Sequence, residues 1–172
     1  MHEPAGVADL GKLEIVAAQI RCDLIRMIHI AKMGHPGGSL SIADLLAALY
    51  FRVMRIDAAR PDWPVRDRFI LSKGHACPAW YAALIRRGYL GAECIGTLRC
   101  MDSLLQGHPD MVKTPGVDMT AGSLGHGLSA GLGMALAARV RGLDYRVWVI
   151  IGDGEMQEGS IWEAALAAPN LG

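Results

Sequence analysis

This chain has no net charge: 17 basic and 17 acidic side chains cancel across 172 residues. Proteins that bind polyanions carry a basic excess, so no nucleic acid and no membrane surface is expected as a partner. Aromatic residues are scarce at 6%, and the four cysteines include no C-x-x-C pair. Cys94 and Cys100 stand too far apart for the usual zinc spacing, which leaves free thiols and a reducing, cytoplasmic setting as the expectation. The first nine residues contain Glu3 and no apolar run, unlike a secretory signal. One uncharged stretch, 119–138, reaches spanning length and places Gly127 and Gly131 at the spacing of membrane-helix dimers. Its five glycines, with Thr120, Ser123, His126 and Ser129, make it too polar to span. The glycine-rich block Ala121–Gly127 matches neither G-x-G-x-x-G nor the phosphate loop. No H-E-x-x-H pattern supports a zinc site.

Hydrophobic residues make up 52% and charged ones 20%, enough for a sizeable core in one domain, taken as residues 1–172. Glycine is in excess, 21 residues where about 7% of a chain is usual. Leu13, Val16, Ile20, Leu24, Met27, Ile28 and Ala31 recur at three- and four-residue steps and predict a helix ending near Gly34. Ser41 with Asp44 three residues on predicts a capped helix over 42–54. Phe69 to Ser72 and Tyr145 to Ile151 are short apolar runs bounded by glycine and read as buried strands. Helices are expected from Pro78 to Arg87, over 91–99, from the glycine block to Arg141, and from Met156 to Ala168, where Pro169 stops the last. The alternation favours an α/β domain with a parallel sheet, whose ligands bind at strand carboxyl ends.

Two polar loops follow those strands: Ser72-Lys73-Gly74-His75 and Gly152-Asp153-Gly154-Glu155. Asp153 between two glycines is a hard oxygen donor suited to Mg2+ beside phosphate oxygens, although a plain turn explains Gly-Asp-Gly equally well. Glu158 and Glu163 add carboxylates on the next helix, where an exposed acidic face is the plainer explanation. Gly127, Gly131, Ala135 and Ala138 form a small-residue face for close packing, while the backbone of 122–125 can cradle a flat or anionic ligand. His35, His75 and His108 each follow a glycine in a predicted loop, as imidazoles presented to one ligand and able to shuttle protons.

The blocks Gly34-His35-Pro36-Gly37-Gly38-Ser39, Leu71-Ser72-Lys73-Gly74-His75-Ala76, Gly107-His108-Pro109, Gly122-Ser123-Leu124-Gly125-His126-Gly127 and Gly152-Asp153-Gly154-Glu155-Met156-Gln157-Glu158-Gly159 together resemble transketolase. The resemblance covers about residues 10 to 168 and is closest to the amino-terminal half, including the version made as a separate subunit. It implies a three-layer, parallel-sheet, thiamine diphosphate-binding α/β fold, incomplete at its carboxyl end. It also implies transfer of a two-carbon ketol unit between sugar phosphates. By that resemblance Asp153 would bind Mg2+, and Gly154 would give its N–H to the diphosphate. Gly122 and Leu124 would contact the aminopyrimidine by main chain, Ser123 between them would also bind cofactor, and His75 would touch the cofactor phosphate. His35 and His108 would face substrate hydroxyls, and Glu158 and Glu163 would join a carboxylate network between paired cofactors. A C-terminal transketolase subunit is the implied partner, in a dimer of heterodimers. The pathway, pentose phosphate or catabolic, is left open.

Relatives have a further strand whose Asn completes the metal site, and a pyrimidine-binding domain whose glutamate activates the cofactor; neither is in this sequence. The chain alone is therefore expected to be inactive. The alternative is a truncated, non-catalytic relic or interaction module of the same fold.

Overall fold

The structure, a computed structural model, describes residues 10–171. Its sheet is two parallel strands, β1 (Arg68–Leu71) and β2 (Val147–Ile150), in register with Arg68 beside Val147 and Leu71 beside Ile150. Because side chains alternate across a strand, Phe69, Leu71, Trp148 and Ile150 face one side and Ile70, Val147 and Val149 the other. The first set joins the main core, against α1 (Leu10–Ala31), α3 (Ala43–Ala48) and α4 (Cys77–Arg87). The second set lies under α5 (His126–Val140), on which α6 (Gly159–Leu171) packs. Helices thus cover both faces of a parallel sheet, the expected three layers.

Residues 77–85 of α4 are buried all round, as the continuous apolar sequence there requires. Its polar atoms find partners: Trp80 Nε1 donates to the Tyr50 hydroxyl, and Tyr81 donates to the Gln106 carbonyl at 2.9 Å. Phe69 stands edge-on to Trp80 and Tyr50, at ring distances of 4.9 and 5.5 Å, each contact adding about 0.5–1.5 kcal/mol beyond burial. On the other side α5 presses close to the sheet. A Cβ on Gly131 would lie 2.6 Å from Val149, and one on Gly127 would lie 2.4 Å from Ser72. The small-residue face of α5 is a packing requirement.

Several elements depart from expectation. The segment 42–54 is α3 followed by a π-helical turn, Leu49–Val53, where the Met54 N–H reaches the Leu49 carbonyl at 2.8 Å. Ser41 does not cap it; its hydroxyl donates to the Gly38 carbonyl, and Asp44 pairs with Arg21 instead. Pro36–Leu40, expected as loop, is a short helix, α2, with proline in its first turn. Residues 92–97 form a 3₁₀ helix. The last helix begins at Gly159, after a 3₁₀ turn at Gly154–Gln157, and continues through Pro169 to Leu171. Proline is tolerated there because the carbonyl it leaves unpaired belongs to exposed Ala165, within reach of water. On this helix Ala165 and Leu166 are exposed, whereas Ile161 is buried.

Two buried aspartates fix the start of the sheet. Asp67 accepts from the Arg55 and Arg146 N–H groups at 3.1 and 2.9 Å, which sets the register of both strands. Asp118 takes a two-pronged Arg66 guanidinium at 3.1 and 2.6 Å and the Phe69 N–H at 2.9 Å. The Arg66 and Asp118 side chains are only 11% and 6% exposed, so removing one leaves the other charge poorly compensated. Asp118→Ala is expected to cost about 3–5 kcal/mol in urea unfolding; a loss below about 1 kcal/mol would contradict this role.

Candidate functional site

At the carboxyl ends of β1 and β2 lies a cavity of about 390 Å³. Gly37, Gly38 and Ser41 close it from the α2 side, Lys73 and His75 follow β1, Leu124 comes from the glycine block, and Gly152, Asp153, Gly154 and Glu155 follow β2. Parallel strands direct all their outgoing loops to this edge, which is why blocks far apart in sequence meet here. The backbone is bare where a ligand approaches: a Cβ on Gly154 or Gly37 would meet nothing within 4 Å. Gly74 packs tightly beneath, its missing Cβ lying 3.1 Å from the Gly122 nitrogen.

One side of the site carries a cation and imidazoles. Lys73 is 8% exposed, and its Nζ donates to the Gly38 carbonyl at 3.1 Å and to Ser41 Oγ at 3.0 Å. Burial pulls its pKa below the ordinary lysine value, with Asp153 and Glu155 opposing. His75 meets His35 edge-on, ring centres 5.1 Å apart. Burial lowers the His75 pKa, and His35 and Lys73 lower it further. His108, whose ring would stand 3.5 Å from a Cβ on Gly122, is lowered by desolvation, then by Arg99 and His35. Cys77 below is no nucleophile, its thiol buried and pushed up to about 12.

Two residues that the sequence does not single out prove central. Lys73 is one letter in a matching block; its only signal is a lone cation in an apolar and glycine setting. Glu155 is 3% exposed, and its carboxylate accepts the Ser72 hydroxyl, the Gly125 N–H at 2.9 Å and the Gly152 N–H at 2.9 Å. Nothing local distinguishes it from Glu158; only the fold brings its three donors together. Gly125 adopts φ +86°, a conformation that favours glycine, as its N–H turns to Glu155.

Of the expected site residues, His75, Leu124, Asp153 and Gly154 line the cavity, with His35 against His75 and His108 against Gly122. Ser123, Glu158 and Glu163 are exposed and outside its lining, Glu158 lying beside Gly125. Among the described residues no group of three His, Cys, Asp or Glu side chains is placed to hold a metal ion, so Asp153 would serve as one ligand of a shell completed by other oxygens. Among the described residues no helix is long and apolar enough to cross a membrane.

Both His75 and His108 release their protons more readily here than in the unfolded chain. The unfolded state therefore binds more protons as pH drops below about 6.5, and stability falls across that window. NMR titration is expected to place both ring midpoints below about 6.5; midpoints above it would contradict the pocket's desolvation.

Comparison with known proteins follows the same blocks. A family model described as "Transketolase, thiamine diphosphate binding domain" matches residues 13–172. A 6-deoxy-6-sulfo-D-fructose transketolase subunit from a Clostridium species is 56% identical over 155 residues, covering 87% of this chain and 56% of that one. An apulose-4-phosphate transketolase subunit from Phocaeicola vulgatus is 45% identical over 155 residues, covering 90% and 55%. The solved transketolase of Leishmania mexicana superposes with a TM-score of 0.84 at 37% identity, over 88% of this chain and 24% of that one. The chain spans about half the length of the two curated relatives, and within that span it belongs to the transketolase thiamine diphosphate-binding domain family.

Proposed function

We propose that residues 1–172 form the cofactor-binding part of a transketolase N-terminal subunit, which acts with a C-terminal, pyrimidine-binding subunit on anionic sugar substrates. The observation that carries this reading is the cavity at the strand ends. It sets the open backbone of Gly154, the carboxylate of Asp153, the Lys73 ammonium and the His75 imidazole around one space. These groups fit a diphosphate with its divalent cation: N–H and ammonium donors for phosphate oxygens, a hard oxygen donor for Mg2+, and the apolar Leu124 towards a flat ring. When bound, the cofactor supplies the carbanion and the electron sink of ketol transfer.

The chain's own residues bind, orient and move protons. Gly154 and His75 would hold the diphosphate end, and Asp153 would offer its carboxylate to the divalent cation. The backbone of 122–124 would seat the ring system. His35 and His108, the latter biased towards its neutral form by desolvation, would accept or return the proton of a substrate hydroxyl. The names of the relatives, a sulfonated fructose and a phosphorylated apulose, support a substrate with an anionic end. Glu158, beside Gly125, and Glu163 are both exposed and so available to a second protomer in a dimer of heterodimers.

Calorimetric titration of the full protein and its complementary subunit with thiamine diphosphate and Mg2+ tests this. Wild type is expected to bind, and Asp153→Ala to weaken binding at least about tenfold, roughly 1.4 kcal/mol. Absence of binding by wild type would overturn the reading. His35→Ala is expected to keep the cofactor while slowing turnover about 10²–10⁴-fold; an unchanged rate would remove His35 from proton transfer.

A further inference from the structure

We propose that Glu155 is a positioning residue that fixes the spacing between the two backbone segments facing the cofactor, 122–125 and 152–154; the proposal rests on the thiamine diphosphate reading above. Oε1 accepts the Ser72 hydroxyl and the Gly125 N–H, and Oε2 accepts the Gly152 N–H, at 2.9 Å for each amide. The three donors belong to three separate segments: the end of β1, the turn before α5 and the end of β2. One rigid carboxylate therefore sets three distances at once.

The surroundings keep the pin from being redundant or adjustable. The Gly125 peptide is held from its other end as well, its carbonyl accepting Ser160 Oγ at 2.9 Å. A Cβ there would lie 2.7 Å from Ser160 Oγ and 2.9 Å from Glu158 Cβ, so the turn has no room to shift toward α6. Ser72 Oγ also takes the Gly127 N–H at 3.0 Å, which joins the start of α5 to the same centre. Leu124, one residue before the pinned amide, and Gly154, two residues after the other, both line the cavity. Their separation is set through Glu155.

An amide cannot replace this carboxylate. The site offers two N–H donors to its two oxygens, so the NH₂ of Gln would oppose one of them and leave it unpaired. An Asp would be too short to reach all three donors.

The test compares wild type, Glu155→Gln and Ser72→Ala in the full protein with its complementary subunit. Amide hydrogen exchange is read over 120–127, 150–154 and, as a control, 77–87, together with the dissociation constant for thiamine diphosphate in excess Mg2+. Glu155→Gln is expected to speed exchange over 120–127 and 150–154 with residues 77–87 as protected as in wild type. It is also expected to raise the dissociation constant at least about tenfold. Ser72→Ala, which leaves the carboxylate two of its donors, gives a smaller shift in the same direction, and the double variant adds less than the sum. Should Glu155→Gln fail to fold, the Ser72→Ala comparison decides alone. Unchanged exchange and affinity, or exchange rising equally over 77–87, would overturn the proposal. A wild type that binds no cofactor overturns the functional reading instead, and the exchange data then decide the pin by themselves.

Discussion

A charged group taken out of water must be met by donors or it destabilises whatever buries it. Glu155 meets that demand with one hydroxyl and two backbone amides from segments that share no helix or strand. The loops at the site are glycine-rich and carry little apolar surface of their own, so hydrophobic burial does not hold them in place. Hydrogen bonds to the Glu155 carboxylate, with those of Lys73 and Ser160, tie them together. The same logic works at the opposite end of the strands, where Asp67 and Asp118 gather the amides and guanidinium that start the sheet. Between these two polar ends the strands rely on their ladder of hydrogen bonds and on packing.

That packing is asymmetric. One face of the sheet carries the aromatic core of Tyr50, Phe69 and Trp80, dense enough to bury residues 77–85 of α4 on every side. The other is covered by a helix that comes close only because glycines face the strands. Close approach puts the start of α5 at the level of the strand ends, so the glycine block reaches the cavity. The glycine excess in the composition is thus spread over three duties: a tight helix–sheet contact, a turn in an unusual conformation, and open backbone at the pocket.

The layers and the strand pair are legible from period and apolar runs, although only β1 is the buried strand expected, from Phe69 to Leu71, while β2 is half-buried along its whole length. So are His35, His75, His108 and Asp153, each marked by adjacent glycine. The π-helical turn is hidden, since its wider hydrogen bonding at Leu49–Val53 leaves no trace in the apolar spacing. The final helix differs from expectation at both ends: Met156 sits in a 3₁₀ turn, and Pro169 is tolerated where its lost bond faces solvent. Glu155 and Lys73 are illegible for a different reason. Their partners lie on other segments, and a residue defined by long-range donors looks locally like any charged loop residue.

The pairing of β1 with β2 also bears on how the pocket comes into being. Asp67 and Arg146, which set the register, are 79 residues apart. Closing a contact of such separation costs more chain entropy than forming the hydrogen bonds within α1, α3 and α4. The cavity exists only where both strands end together. A chain that loses this pairing therefore carries the histidines and the acidic loop without the space between them.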